Sequence, residues 1–195
     1  MIMAIQLYDL TDASRQVFFS PFCWRTRTAL EHKGLEFESI PWHFTDKEMA
    51  EKTGHARVPV ISAGGGWKNE SSAIAEYLDQ AYPDKPALMK DDAAKATAQF
   101  VEAWCISSVF GPLRPLAVMS VFKIIHEKYK SYFRESREKA LKCKLEEISQ
   151  DPTAEKAALT AALRPAEDLF GKQSFFGGDA PSYADYVLFG TLMWP

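Results

Sequence analysis

The sequence predicts a mixed α/β domain followed by an all-helical domain, and three observations support this prediction. Short apolar runs alternate with helical periods over residues 1–82, in the order βαβαββα. Residues 83–90, which contain two prolines, then interrupt the pattern as a linker would. Residues 91–195 continue with helical periodicity and no competing strand signal. The predicted domain boundary therefore lies at residues 83–90.

The first predicted strand covers residues 2–10 and is followed by a polar loop. A helix over residues 24–33 comes next, with Ser20 as its N-cap, Pro21 as its first residue and Gly34 just past its end. The free N–H groups and the dipole at such a helix start favour negative charge, and a serine hydroxyl can donate a hydrogen bond to an anion. A docked thiolate would be stabilised there, although an isolated Ser-Pro is also an ordinary helix start.

The second half of this domain begins with a strand over residues 58–61, entered through Pro59. Proline cannot donate a ladder hydrogen bond, so this entry is predicted to be a sheet edge or a cis turn. Residues 62–66 form a glycine-rich hairpin turn, and residues 67–69 form a short return strand. Glu70 and Ser71 then open a helix over residues 72–80.

Four helices are predicted after the linker, over residues 93–110, 116–133, 134–148 and 153–170. Gly111-Pro112 is expected to stop the first of them. Ser182 and Asp185 form a capping box, with Asp in place of the usual Glu, ahead of the apolar run 186–192. We interpret both as folding residues, and the mixed charges of residues 134–147 as a solvated helix face.

Composition favours a cytoplasmic enzyme with a substantial core. The chain has 195 residues, of which 47% are hydrophobic and 25% charged. Its net charge of −3 lacks the excess of positive charge that is typical of nucleic-acid-binding proteins. Neither a leader nor an uninterrupted apolar run of about 18 residues is present, so we expect no membrane association. Three widely spaced cysteines favour reduced thiols over a disulfide framework. The four histidines show no zinc-ligand spacing, so no metal is expected.

Three short motifs follow one another along this chain: Ser20-Pro21-Phe22-Cys23 at the first helix, Val58-Pro59 before the third strand and Glu70-Ser71 at the third helix. With that order, residues 1–82 resemble the thioredoxin-like domain of glutathione S-transferases. The long loop after the first strand and the run Ser20 to Arg25 look closest to the etherase-related branch, which contains lignin β-etherases and fungal FuA proteins with ligand-binding behaviour. The resemblance implies the glutathione transferase fold, with an all-α domain after the thioredoxin-like one.

The resemblance implies a binding site for glutathione, which is the expected co-substrate. Ser20 would activate the glutathione thiol, and the main chain of Val58, turned by a cis Pro59, would pair with the cysteinyl backbone. Glu70 would meet the γ-glutamyl ammonium and Ser71 its carboxylate. The cation for the glycyl carboxylate would come from one of three residues, among which the sequence does not choose: Lys52, His55 and Arg57. Cys23 occupies the second thiol position of a thioredoxin-like motif, but Ser20 replaces the first, so a dithiol cycle is not expected.

A hydrophobic second-substrate pocket is expected beside the sulfur. The candidate wall residues are Phe22, Trp24, Trp104 and Phe110, although aromatic residues more often belong to a core. We expect a detoxification-type transferase for hydrophobic aromatic electrophiles, with aryl ethers among them. A ligandin-like binding protein for aromatic compounds and a non-catalytic transferase-like interaction module are the alternatives.

The resemblance also implies a homodimer and more chain after the helix that begins at Ser182. Residues 91–195 are therefore expected to be a helical domain that is incomplete at its C-terminal end.

Overall fold

A computed structural model describes residues 5–148 and 151–194 of this chain. Its sheet has the strand order β2-β1-β3-β4 and consists of β1 (Ile5–Leu10), β2 (Phe37–Trp42), β3 (Val60–Ala63) and β4 (Gly66–Asn69). β2 runs parallel to β1, whereas β3 pairs antiparallel with β1 and with β4. Residues 2–4 of the predicted first strand lie outside the described residues.

Three helices belong to the sheet region: α1 (Pro21–His32), α2 (Lys47–Thr53) and α3 (Ser71–Ala81). Five more follow: α4 (Asp92–Trp104), α5 (Phe110–Ile124), α6 (Lys130–Leu141), α7 (Thr153–Phe170) and α8 (Tyr183–Leu192). Residues 82–91 contain neither helix nor strand. The predicted order βαβαββα and the helical remainder are both confirmed.

Local signals set several of these helix ends. Ser20 caps α1 with Pro21 as its first residue, and Gly34 follows its end with a left-handed φ of 59°, which glycine adopts without steric penalty. Ser182 and Asp185 form the predicted capping box of α8. Asp185 also accepts a hydrogen bond from the backbone N–H of Phe176, which ties the preceding loop to the helix.

Helix boundaries in the middle of the chain differ from the prediction. Gly111-Pro112 does not stop a helix, because the π-helical turn Cys105–Val109 joins α4 directly to α5. The extra residue of a π-turn shifts the hydrogen-bond ladder just ahead of the proline, where a donor is missing. The predicted helix over 116–133 ends at Ile124, and the one over 134–148 corresponds to α6, which ends at Leu141. Lys142 has a left-handed φ of 57° there.

The continuous helical run 92–124 has 33 residues and is long and apolar enough, by length and composition, to cross a membrane. Uninterrupted apolar stretches in the sequence are shorter than about 18 residues, and the longer run arises because the π-turn joins α4 to α5. Core helices of globular proteins pass the same test. Here Val101, Cys105 and Val109 are buried in one hydrophobic cluster and Val118 in another, so this run has a core-forming face.

Two hydrophobic clusters hold the molecule together. The first joins the sheet and α1 and α3 to α4, α7 and α8, so the sheet region and the helical region share one core. Leu88, in the segment between α3 and α4, is fully buried in it, and the carbonyl of Leu88 accepts a hydrogen bond from the N–H of Tyr183. The second cluster packs the other face of the sheet against α5 and α6.

Candidate functional site

Ser20 lies at the N-terminus of α1, where the chain leaves the loop after β1. Its Oγ accepts a hydrogen bond from the backbone N–H of Cys23 at 3.3 Å, and its hydroxyl can also donate, with the Cys23 thiol as one neighbouring partner. The residue is only 5% exposed, yet it lines two cavities that meet at this point. One hydroxyl and the start of one helix therefore face both cavities.

Cys23 does not take part as a thiolate. It is fully buried, and burial followed by the nearby Asp9 carboxylate raises its pKa well above the usual range. Asp9 is itself buried, which raises its pKa to about 6 in spite of an ion pair with Arg27 at 2.9 Å. Burial likewise raises the pKa of Cys105. A protonated, inaccessible thiol is a poor nucleophile.

The first cavity, called here the Arg57 cavity, has a volume of about 450 Å³. It is bounded by Ser20 and Val58 and by the start of α2, where Lys47 and Asp46 lie. Of the three candidate cations, only Arg57 lines it. Lys52 instead places its Nζ 5.3 Å from the centre of the Tyr8 ring, and its pKa is raised by a hydrogen bond with the Tyr8 hydroxyl.

Pro59 follows Val58 through a cis peptide bond, which is one of the two alternatives that the residues left open and the one that the family resemblance implies. Because Val60 pairs with Asn69 in the antiparallel β3–β4 ladder, Pro59 and Glu70 lie side by side at the end of these strands. Glu70 is exposed and has a φ of 63°, a left-handed conformation that is costly for a residue with a Cβ and that concentrates at ligand sites.

Five of the predicted glutathione contacts are not among the residues that line the Arg57 cavity: Lys52, His55, Pro59, Glu70 and Ser71. His55 turns its backbone to Thr53, with which its N–H and carbonyl both form hydrogen bonds. Ser71 is buried as the first residue of α3, and its side chain is close to the hydroxyl of Tyr183 on α8, whose pKa is raised by burial.

The second cavity, called here the Phe110 cavity, has a volume of about 520 Å³ and is mostly apolar. Phe22, Phe110 and Trp194 form what we call its aromatic wall. The Phe22 and Phe110 rings stack with centroids 5.9 Å apart, and Trp194 meets Phe110 edge-on at 5.8 Å. Ser20, Leu10 and Phe44 line both cavities. A small molecule bound in each would therefore be adjacent at Ser20.

Trp24 and Trp104 are not brought into the Phe110 cavity. The Trp24 Nε1 donates to the carbonyl of Phe18 at 3.0 Å, and its ring meets Phe189 edge-on. Trp104, near the end of α4, is half-buried against the first hydrophobic cluster. Neither residue forms part of the wall, whose members lie on α1, at the start of α5 and just after α8. The two predicted wall residues that do line the cavity are Phe22 and Phe110.

Several lining residues were missed by the sequence reasoning. Lys47 had no signal, since a lysine at a helix start is common. Arg137 was assigned to a solvated charge run, and its neighbours do form ion pairs there: the pair of Arg134 with Glu146 is exposed and that of Arg134 with Glu138 is partly buried. Arg137 instead turns towards the Phe110 cavity, together with Arg114 from α5. Ile106 enters the same cavity from the π-turn, a feature that often marks functional sites.

α8 packs against α1 and fixes its position. Arg25 is fully buried, and its guanidinium donates to Glu102 at 2.6 Å and to the Thr191 hydroxyl at 3.0 Å. Gly190 sits directly against α1, where an added Cβ would lie 2.7 Å from the carbonyl oxygen of Pro21. This close approach of the two helices holds the turn that carries Ser20.

Comparison with known proteins agrees with this arrangement. The profile of the glutathione S-transferase N-terminal domain matches residues 16–91, and that of the glutathione S-transferase C-terminal domain matches residues 96–195. A curated rice protein, probable glutathione S-transferase GSTU6 of Oryza sativa subsp. japonica, is 30% identical over 190 residues, which cover 91% of this chain and 70% of the relative. The chain therefore belongs to the glutathione S-transferase family, and the resemblance predicted from its motifs is confirmed.

Solved structures show which members of the family this chain resembles in structure. The glutathione transferase GSTFuA3 of Phanerochaete chrysosporium superimposes with a TM-score of 0.89 at 26% identity, over 100% of this chain and 85% of that one. CsGST83044 of Ceriporiopsis subvermispora, solved in complex with glutathione, gives 0.89 at 25% identity, over 99% and 87%. The β-etherase LigF of Sphingobium sp. strain SYK-6 gives 0.66 at 19%, over 97% and 82%, and shows the common fold alone.

Proposed function

We propose that this chain is a serine-type glutathione transferase for hydrophobic aromatic electrophiles. The observation that carries the proposal is that Ser20 borders two cavities of different character. The Arg57 cavity has the charged groups expected around a peptide-like, doubly anionic co-substrate, whereas the Phe110 cavity has an aromatic wall. A thiol held in the first would face an electrophile held in the second, with the Ser20 hydroxyl beside the sulfur.

The chemical role of Ser20 is to favour the thiolate. A free thiol has a pKa of about 8.5, so lowering it by about two units requires about 2.7 kcal/mol of preferential interaction with the anion. One hydroxyl donor and the backbone N–H groups at the start of α1 are of the right type and size for this. Cys23, which stays protonated, does not compete for the reaction.

Glutathione is proposed to lie along the Arg57 cavity. Arg57 is the best of the three candidate cations for the glycyl carboxylate, since it alone lines the cavity with Val58 and Ser20. The Val58 main chain, ahead of the cis Pro59, would pair with the cysteinyl backbone. Glu70, exposed in its left-handed conformation, would meet the γ-glutamyl ammonium, and the N-terminus of α3 at Ser71 would meet the adjacent carboxylate.

The electrophile would be an aromatic compound with a leaving group, and aryl ethers are one candidate class. In an ether cleavage, the thiolate forms the new C–S bond while the C–O bond breaks and the phenolate leaves with the electron pair. In an aromatic substitution, the thiolate replaces a halide at the ring carbon. Neither step needs a redox partner or a metal. LigF of Sphingobium sp. strain SYK-6 is a β-etherase, and aryl ethers are included here only as a substrate class to test.

A ligandin-like function remains the second candidate, because a cavity of about 520 Å³ with an aromatic wall can store an aromatic compound without converting it. The two functions differ in turnover. A ligandin would bind polycyclic aromatic compounds and quench tryptophan fluorescence, but would show no conjugation above the uncatalysed rate.

The test is the absorbance of the bound glutathione thiolate against pH, together with conjugation of 1-chloro-2,4-dinitrobenzene and cleavage of a β-aryl ether probe. Ser20→Ala should raise the pKa of bound glutathione and reduce conjugation at neutral pH, while leaving glutathione affinity close to the wild-type value. Ser20→Thr, which keeps a hydroxyl, should retain much of both.

A control is needed because Ser20→Ala also removes a helix cap, which destabilises by about 1 kcal/mol. Asp91 caps α4 away from both cavities by accepting from the N–H of Ala94 at 2.8 Å. Asp91→Ala should lose similar stability without changing the thiolate titration. An unchanged titration in Ser20→Ala would remove Ser20 from the mechanism and leave the backbone N–H groups as the activating donors.

The expected homodimer and cytoplasmic location stay predictions. Light scattering of the purified protein measures the first, and fractionation of the source cells measures the second.

A further inference from the structure

The arginines of this chain fall into two groups. Arg25, Arg27, Arg134 and Arg164 form ion pairs with Asp or Glu side chains. The other four have no carboxylate within ion-pair distance among residues 5–148 and 151–194, and every one of them lines a cavity: Arg15, Arg57, Arg114 and Arg137. A guanidinium that lines a cavity without a carboxylate partner is available to an anionic ligand. Two of these four line the Phe110 cavity.

Arg137 is held in a largely apolar setting. Its guanidinium lies 4.6 Å from the centre of the Phe133 ring and 5.7 Å from that of Phe44. Among the described residues, the Ser136 hydroxyl, at 3.1 Å, is the only acceptor for its donors, of which an arginine has five. Burial lowers its pKa, and the charge of Arg114 acts in the same direction. The ring contacts fix the group in place while most of its hydrogen-bonding capacity stays unused.

Arg114 reaches the same cavity from α5. It forms no hydrogen bond or ion pair with any residue that the structure describes, and its nearness to Arg137 places two positive charges on one side of the cavity. The aromatic wall of Phe22, Phe110 and Trp194 lines the same space. Like charges that share a partly buried site repel each other, so a bound anion would relieve an unfavourable interaction as well as gain two donors.

We propose that the Phe110 cavity selects aromatic molecules that carry a negative charge, with Arg114 and Arg137 binding an anionic substituent while the aromatic wall contacts the ring. A carboxylate or a sulfonate on the ring has the planar or multidentate acceptors that a guanidinium fits. This inference rests on the proposed function only in so far as the bound molecule is its second substrate. It narrows the substrate class from hydrophobic aromatics to anionic aromatics.

The test compares two fluorescent probes that differ only in the charged group. 1-Anilinonaphthalene-8-sulfonate is anionic, and N-phenyl-1-naphthylamine is its neutral counterpart. The wild-type protein, saturated with glutathione, should bind the sulfonate at least about tenfold more tightly, which corresponds to about 1.4 kcal/mol. Arg137→Gln and Arg114→Gln should each remove about tenfold of the sulfonate affinity and leave the neutral probe nearly unchanged. Arg137→Lys keeps the charge and should restore part of it.

Two further variants locate the binding. Arg164, which pairs with Asp168 on the exposed surface of α7, provides the matched control, and Arg164→Gln should leave both affinities unchanged. Phe110→Ala should weaken the binding of both probes, because it removes an aromatic ring of the protein that both probes would contact. The melting temperature of each variant shows whether it is folded.

The inference is overturned by any of three results: no preference of the wild type for the sulfonate, equal sulfonate affinity in the glutamine variants and the wild type, or sulfonate binding that Phe110→Ala does not change. Turnover is measured separately with 1-chloro-2,4-dinitrobenzene, which is neutral. Conjugation without charge selectivity would overturn this inference alone. Arginine-dependent sulfonate binding without conjugation would support it and would instead overturn the proposed catalysis.

Discussion

Replacing Gly190 by Ala tests whether the contact between α8 and α1 holds the Ser20 turn in position. An ideal Cβ at residue 190 would lie 2.7 Å from Cγ of Arg25, 2.7 Å from the carbonyl oxygen of Pro21 and 2.9 Å from the backbone nitrogen of Arg25. Two of these three neighbours are backbone atoms of α1, which no side-chain rotation can move aside. The two helices must therefore shift apart to accept the methyl group.

The magnitude follows from two opposing effects. Overpacking of this kind destabilises by about 1 to 3 kcal/mol, whereas Ala in place of Gly inside a helix stabilises by up to about 1 kcal/mol. We expect the free energy of unfolding to fall by about 1 to 2 kcal/mol, which lowers the melting temperature by about 2 to 8 °C for a chain of this size. Since Pro21 follows Ser20 directly, the shift should also reduce kcat/KM for conjugation.

Thermal melting and conjugation of 1-chloro-2,4-dinitrobenzene measure the two effects on the same preparation. Gly171→Ala is the control: it lies at the end of α7, with helical φ, and its Cβ would meet only backbone oxygens at 3.4 and 3.8 Å. It should melt within a few degrees of the wild type and keep its activity. A Gly190→Ala protein that melts at or above the wild-type temperature would refute the reasoning.

Three further predictions concern pH, core and cofactor. Burial raises the pKa of Asp9 to about 6, so the stabilisation by protonated Asp9 is present below about pH 4 and is lost as the pH rises through about 6. The free energy of unfolding should change by about 3 kcal/mol over this range. Urea unfolding of Asp9→Asn should lack this dependence on pH, and an identical dependence would contradict the prediction. Trp104→Ala should lower the free energy of unfolding by about 1 to 3 kcal/mol yet bind N-phenyl-1-naphthylamine normally, and weakened probe binding at unchanged stability would return Trp104 to the pocket. Arg57→Gln should weaken glutathione binding by about tenfold in calorimetry, while Lys52→Gln should not; the reverse result would exchange their roles.

The parts of the site that the sequence predicted depend on short-range rules. Ser20 caps α1 because a serine followed by proline suits a helix start. α3 begins at Ser71 as the sequence predicts, although Glu70 makes no side-chain cap there. The cis bond before Pro59 and the pairing of β3 with β4 also involve only neighbouring residues. These signals lie within a few positions of the residues they concern, although at Pro59 the residues alone left a sheet edge or a cis turn open and the family resemblance implied the cis form.

The second cavity could not be predicted in the same way, because its wall is assembled from distant segments. Ile106 lies within the π-turn and Phe110 directly follows it, and both line the cavity just ahead of Gly111-Pro112, where a local rule predicts a helix stop. Trp104, a few residues earlier, is an aromatic residue in the same apolar run as Phe110 but packs against the first hydrophobic cluster. Aromatic content alone does not separate a wall residue from a core residue, since both lie on apolar faces of the same helical run.

Arg137 shows why charge patterning also failed there. Along α6, Arg134 and Glu138 are one turn apart and pair on the outer face, and the sequence gives Arg137 the same surroundings. Its guanidinium lies nearest the ring of Phe133, one turn earlier on α6, and the contact that the sequence does not reveal is the approach of Phe44 from the loop after β2. The residues proposed to activate the thiol are therefore encoded by local motifs in residues 16–91, whereas the residues proposed to select the electrophile come from contacts between the sheet region and α5 and α6. On this basis, substitutions in α5 and α6 should change the preferred second substrate while leaving the pKa of bound glutathione unchanged.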